Sequence, residues 1–178
     1  MNVLILGPQG SGKGTQAKLV AHKFGFFYFE AGEFLREIAL KNEKLRQVMD
    51  KGELVDEKEL ASYITAYFDE KQIYDNIIFD GFPREVVQYN FFKDWLKEKE
   101  IKIDVAIVLV VSEETTLKRL SLRAREDDTP FAIKQRLALY EKETMPLIEE
   151  IRKDTKVLEI DGERTVEEIF KDICKKLV

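Results

Sequence analysis

The stretch Val3-Leu4-Ile5-Leu6-Gly7-Pro8-Gln9-Gly10-Ser11-Gly12-Lys13-Gly14-Thr15 decides the fold. Residues 3–6 are an unbroken apolar run of the length of a strand buried on both faces. Glycines at 7, 10, 12 and 14 follow, and a helical pattern begins near Lys13. Strand, glycine-rich turn and helix in that order make a loop whose backbone N–H groups point inward together. Side chains at the glycine positions would block that convergence. The helix N-terminus adds partial positive charge, and Lys13 adds a full, mobile one. A phosphate fits such a loop, so the chain is expected to bind a nucleotide. The strict pattern places Ser or Thr directly after the lysine; here Gly14 intervenes and Thr15 follows.

Working outward, the chain of 178 residues is long enough for one full core and short for two, so 1–178 reads as a single domain. A hydrophobic content of 44% is that of an ordinary globular protein. No apolar stretch approaches the length that spans a bilayer, and Met1 runs straight into the first strand, so a cytoplasmic location is expected. The net charge of −5 argues against a broad nucleic-acid footprint. Phosphates must then be held by backbone amides and a local cluster of arginines. With one cysteine, Cys174, and one histidine, His22, the sequence offers neither an internal disulfide nor a zinc site. Cys174 falls in the apolar pattern of a terminal helix and reads as packing, and His22 reads as a solvated or capping residue. Charged residues reach 35%, a direction seen in heat-adapted proteins.

Apolar strands alternate with amphipathic helices, which implies a mostly parallel sheet covered on both faces. The expected class is α/β, a three-layer phosphate-loop fold with a five-stranded parallel sheet flanked by helices. Strands are predicted at 2–6, 26–29, 76–80, 105–111 and 156–160. Helices are predicted at 13–24, 32–40, 43–49, 57–71, 86–98, 113–123, 131–152 and 166–177. Between Phe29 and Asn76 helix follows helix with no strand, which predicts a small helical insert over 30–59. Ligands of such sheets sit beyond the carboxyl ends of the strands, which is where the remaining motifs fall.

Asn76 to Gly81 is an apolar strand ending in Asp80. A strand-end aspartate can simply start a turn; beside a phosphate loop it can orient magnesium or its waters, with Thr15 as the other candidate on the metal side. Gly81-Phe82-Pro83-Arg84 follows, with Gln88 four residues on. Pro83 restricts the chain's exit from the strand and so aims Arg84 at the cleft. A guanidinium matches a phosphate in bidentate fashion, and a glutamine reads a base edge with one donor and one acceptor. Arg119 and Arg123 share a helix face at i, i+4, and Arg125 and Arg136 follow closely. Any one of them could be a surface salt-bridge partner. Together, after a buried strand's carboxyl end, they form the charge cluster that phosphoryl transfer requires.

These pieces, Gly7 to Gln16, Gly32-Glu33-Phe34-Leu35-Arg36, Gly52-Glu53-Leu54-Val55, Asp80 to Arg84 with Gln88, and Arg125-Glu126-Asp127-Asp128, resemble adenylate kinase, in the family order and across nearly the whole chain. The Lys-Gly-Thr loop and the Gly-Phe-Pro-Arg tetrad are specific to nucleoside monophosphate kinases. The resemblance implies reversible, magnesium-dependent phosphoryl transfer from ATP to AMP, giving two ADP. It implies that Gly10, Ser11, Gly12, Lys13, Gly14 and Thr15 hold ATP phosphates, with Arg119 and Arg123 on the same side and Arg164 near the ATP adenine. Arg36 and Arg84 correspond to AMP phosphate ligands. Ala31, Gly32, Glu53, Leu54, Val55, Gly81, Phe82, Pro83 and Gln88 line the AMP site, and Arg125 and Arg136 bridge donor and acceptor. The catalytic set is then Lys13, Arg84, Arg119, Arg123, Arg125 and Arg136. The family default is a monomer; a homo-oligomer is the other reading, and neither nucleic acid nor membrane is an implied partner.

Two departures from the family pattern stand out. Glu30 and Ala31 replace the usual Ser-Thr, and Glu85 follows Arg84 where Thr or Asn is common, so adenine preference rests on Gln88. Only Ala124 separates Arg123 from Arg125, so 119–128 reads as the remnant of a lid that relatives carry as a loop or subdomain. A kinase for CMP or UMP is the alternative within the class. A nucleotide switch and a nucleic-acid-associated ATPase are alternatives outside it. The first lacks a guanine-reading Asn-Lys-x-Asp segment, and the acidic charge balance opposes the second.

Overall fold

In the computed structural model, which describes residues 1–51, 56–123 and 129–178, five parallel strands form one sheet in the order β2-β3-β1-β4-β5. The strands are β1 (Val3–Leu6), β2 (Phe27–Glu30), β3 (Ile77–Asp80), β4 (Val105–Val110) and β5 (Lys156–Asp161). The helices are α1 (Lys13–Phe24), α2 (Ala31–Ala39), α3 (Glu43–Asp50), α4 (Glu57–Lys71), α5 (Val86–Glu98), α6 (Glu113–Arg123), α7 (Pro130–Leu139), α8 (Met145–Asp154) and α9 (Val166–Leu177). Among the described residues no helix is long and apolar enough to cross a membrane.

Side chains of a strand alternate between faces, and here the alternation divides one sheet between two cores. Val3, Ile5, Ile78, Ile107 and Leu109 face α1 and α9, whereas Leu4, Leu6, Phe79, Ala106 and Val108 face the layer that contains α2, α4, α5 and α8. A strand apolar on both faces, as β1 and β4 are, has a place only in the middle of such a sheet. The second core is aromatic. Phe29 on β2 meets Phe34 of α2, Tyr67 and Phe68 of α4, and Phe79 of β3 in tilted or edge-on contacts, at centroid distances of 5.0–6.2 Å. These rings fasten α2 and α4, the helices that precede β3, to the sheet.

Helix ends carry their expected chemistry. Asp56 caps α4 by accepting from Glu59 N at 3.0 Å, and Thr129 caps α7, with Pro130 in its first turn. Thr165 and Glu168 form a reciprocal capping box at the start of α9.

The helix expected over 131–152 is found as three abutting segments, α7, a π turn and α8. Residues Tyr140–Thr144 widen into a π turn between α7 and α8, closed by Met145 N–H donating to the carbonyl of Tyr140. Pro146 supplies the cause. It has no N–H to give to the carbonyl four residues earlier, and its ring crowds that turn.

Phe68 is fully buried and meets Phe27, Phe29, Tyr67, Phe79 and Trp95. Phe68→Ala is expected to cost about 3–5 kcal/mol of folding stability. Urea unfolding checks this, and a loss below about 1 kcal/mol would show that the ring cluster does not fasten α4 to the sheet.

Candidate active site

The chain leaves β1 toward β2 on one side of the sheet and later reaches β4 on the other. The crevice beyond the carboxyl ends of β1 and β3 is therefore the switch point at which such sheets bind ligands. A cleft of about 530 Å³ lies there. The loop from Gly7 to Gly12 forms one wall. Gly12 sits at φ 92° immediately before Lys13 opens α1, and Gly10 at φ 86° passes so close to α6 that a Cβ would meet the carbonyl oxygen of Thr116 at 2.7 Å. Both positions need glycine for backbone reasons. Lys13 Nζ folds back to the Pro8 carbonyl at 3.4 Å, a long contact that a phosphate can displace. The Ser11 hydroxyl is buried without a hydrogen-bond partner.

The structure accounts for glycine where the strict loop pattern has Ser or Thr. A Cβ on Gly14 would lie 3.2 Å from Asp80 Oδ2 and 3.7 Å from the Tyr28 hydroxyl. Pairing of β1 with β3 sets Ile5 opposite Asp80, which presses the strand-end carboxylate against the first turn of α1. A side chain there would crowd the Asp80 carboxylate, whereas Thr15, one residue on, is exposed.

Asp80 is 3% exposed, and its Oδ1 lacks a hydrogen-bond partner. Its Oδ2 accepts from the Tyr28 hydroxyl at 3.0 Å, and that hydroxyl also lies 3.1 Å from Glu30 Oε2. Burial, outweighing the nearby Lys13 ammonium, pushes the Asp80 carboxyl above the usual carboxylate range. Burial and the two carboxylates push the Tyr28 phenol far up, so it stays protonated.

Tyr28 was not singled out in the sequence, and Glu30 was noted only as a departure from the family pattern, not as a site residue. They are i, i+2 on β2 and so share a face, and the pairing of β2 with β3 sets Glu30 directly opposite Asp80. The signal was the polar alternation Phe27-Tyr28-Phe29-Glu30, which becomes informative only once the neighbour of β2 is known.

Arg84 follows the turn at Gly81. Its Nε donates to the Gly81 carbonyl at 2.7 Å, and Thr144, in the π turn, donates to the Arg84 carbonyl at 2.8 Å. Burial lowers the pKa of this guanidinium, with Asp80 opposing and Arg136 and Arg36 reinforcing the shift. Arg36 and Arg136 both lie within electrostatic reach of Arg84, and all three line the cleft. Arg36 also pairs with Glu30 Oε1 at 3.3 Å.

On the opposite wall Arg119 bridges two loops, donating to the carbonyls of Ser11 at 3.2 Å and Gly162 at 2.9 Å. Arg164 lines the same end but is held by Asp172 at 2.8 Å and by the Asp161 carbonyl at 3.2 Å. Gln88 is fully buried, its amide bonded at both ends within its own turn.

Gly32, Gly81 and Pro83 line the cleft, whereas Ala31 and Phe82 are packed in the core beside it. Glu53, Leu54, Val55 and Arg125 lie outside the described residues, as does the side chain of Arg123.

A parallel α/β sheet with a phosphate loop, a strand-end aspartate and arginines facing the loop across one cleft defines a phosphate-loop phosphotransferase. The model of the adenylate kinase family matches residues 5–156. An adenylate kinase of Petrotoga mobilis is 33% identical, covering 97% of this chain and 95% of its own length. One from Bacteroides fragilis is 36% identical over 98% of this chain and 97% of its own, and one from Corynebacterium urealyticum 35% identical over 95% and 94%. The chain belongs to the adenylate kinase family, and it is a nucleoside monophosphate phosphotransferase.

Because Arg119 joins two loops by hydrogen bonds from a charged donor, Arg119→Lys is expected to lower stability by about 1–2 kcal/mol even without nucleotide. Urea unfolding of the ligand-free protein measures it. A stability equal to wild type would mean that the bridge is formed only around ligand.

Proposed function

We propose that this cleft transfers the γ-phosphoryl group of ATP to AMP, reversibly, within a single chain that has no lid. The observation that carries the reading is the second set of phosphate-matching guanidinia, Arg36 and Arg84, on the wall facing the phosphate loop. A nucleotide switch or simple ATPase has no use for it.

In this reading residues 10–15 and Arg119 hold the donor phosphates, with Arg123 beside them and Arg164 at the base end. Arg36 and Arg84 hold the acceptor phosphate, and Arg136 with Arg125 spans the two. The segment from α2 to the start of α4, residues 30–59, is the acceptor-binding insert, and the family resemblance gives Glu53, Leu54, Val55 and Gln88 roles in binding AMP. Residues 119–128 stand where relatives carry a lid. In support, the alignment with the Petrotoga mobilis protein runs over 208 positions, so that relative has residues without counterpart in this chain of 178.

The donor set of Thr15 hydroxyl and Asp80 carboxylate, all hard oxygen, fits magnesium, and the buried Asp80 Oδ1 without a partner is an acceptor awaiting a ligand or its water. Magnesium bound there with ATP neutralises phosphate charge. No general base is needed, because an acceptor phosphate with a second pKa near 6 is largely a dianion at neutral pH. The protein's part is positioning and electrostatics. Lys13 and Arg119 follow the charge that develops on the donor phosphates, and Arg84 holds the attacking oxygen in line. The chain acts as a cytoplasmic monomer on ATP, AMP and ADP, and its net charge of −5 supports neither nucleic acid nor an anionic membrane as a partner.

Removing either charge clamp separates chemistry from folding. Lys13→Ala and Arg84→Ala are each expected to lose on the order of 3 kcal/mol of transition-state stabilisation, read as a fall in kcat/KM. Near-wild-type turnover in either variant would break these residue roles.

Lids exclude water and complete the arginine set on closure, so ATP hydrolysis without acceptor is expected to run faster than in the Petrotoga mobilis relative. An equal or slower rate would refute the lidless account.

The function itself is tested by ADP formation from Mg-ATP with AMP, CMP, UMP, GMP or dTMP and without acceptor. Preference for AMP supports the reading. Preference for a pyrimidine shifts the acceptor, and a rate independent of acceptor removes it.

A further inference from the structure

Gln88 lines the cleft, and Glu85 is buried beside it at the start of the same helix. Gln88 is fully buried on the first turn of α5, and Glu85, the residue that caps that helix, is 9% exposed. The amide is tied at both ends. Its Oε1 accepts from the backbone N–H of Arg84 at 2.9 Å, and its Nε2 donates to Glu85 Oε1 at 2.6 Å. The backbone N–H can only donate, and an ionised carboxylate can only accept. An amide rotated by half a turn would therefore set donor against donor at Arg84 and acceptor against acceptor at Glu85.

We propose that Glu85 is a specificity-determining positioning residue: it locks the Gln88 amide in one orientation, so that the acceptor site takes a 6-aminopurine monophosphate and rejects a 6-oxopurine. The inference rests on the reading above that Gln88 faces the acceptor base. After its two internal bonds the amide retains one lone pair on Oε1 and one N–H on Nε2. Adenine offers an N–H on its 6-amino group beside a ring-nitrogen acceptor, and these match. Hypoxanthine and guanine place a carbonyl oxygen at position 6, which the locked Oε1 repels. An amide free to turn could present Nε2 to that oxygen instead, and the lock removes that escape. The discrimination comes from an unpaired or mismatched polar contact in a desolvated pocket, the kind of mismatch that pockets reject strongly.

The test is the ratio of kcat/KM for AMP to that for IMP, with Mg-ATP as donor, in wild type, Glu85→Gln and Gln88→Ala. Glutamine at 85 keeps the shape but can present either a carbonyl or an N–H to Gln88, so one of the two locks is released. The expected result is at least a tenfold fall in the AMP-to-IMP ratio in Glu85→Gln, arising from a lower KM for IMP, with the KM for ATP unchanged. A ratio within twofold of wild type in Glu85→Gln, while Gln88→Ala lowers it, overturns the lock and leaves Gln88 as the base reader. A ratio unmoved in both variants overturns the placement of Gln88 at the base, and the lock with it. Glu85→Thr, whose hydroxyl both donates and accepts, repeats the comparison if glutamine disturbs the turn.

Discussion

Everything in the site depends on the parallel pairing of β1 with β3, which sets Ile5 opposite Asp80 at the carboxyl end of the sheet. That register brings a buried carboxylate against the first turn of the helix that follows the phosphate loop. Glycine at 14 suits that approach, because a Cβ there would make the Asp80 carboxylate give way by a few tenths of an ångström. The same register aims the turn at Gly81 across the crevice, so Arg84 faces the loop. A slip of one residue would move Asp80 to the other face of the sheet and separate the two phosphate-binding sets.

The cleft is a crowd of like charges held in check by its surroundings. Arg36 and Arg136 bear on the buried Arg84 as like charges, and Asp80 and Glu30, both within reach of the Tyr28 hydroxyl, oppose them. Two nucleotide phosphate tails bring the negative charge that the arginines lack. Many of these groups are held by the core itself. Thr144 donates to the Arg84 carbonyl from a π turn that Pro146 imposes, and Arg119 is braced on two backbone carbonyls. Pre-organisation of this kind lowers the cost of ordering side chains when substrate arrives.

Much of this was legible from residue pattern. Strand β1, the phosphate loop and α1 follow from an apolar run, spaced glycines and helical periodicity. The family motifs then carry the arginines to their places along the chain. What one sequence could not show is which strand lies beside which. Tyr28 and Glu30 entered the site only because β2 pairs with β3. The π turn at 140–144 was not foreseen because the helical pattern runs through it; the signal was Pro146, which removes a donor. Gln88 was picked for its donor and acceptor, but that Glu85 engages the same amide is a fact of turn geometry that spacing does not convey.

The central claim is that donor and acceptor phosphates meet in one cleft built by one chain. Calorimetric titration with a compound of two adenosines joined by five phosphates tests it most directly. The account predicts one molecule bound per chain, displaced by ATP and by AMP alike, and weakened by loss of either Lys13 or Arg84. Two molecules per chain, or displacement by only one of the two nucleotides, would contradict it.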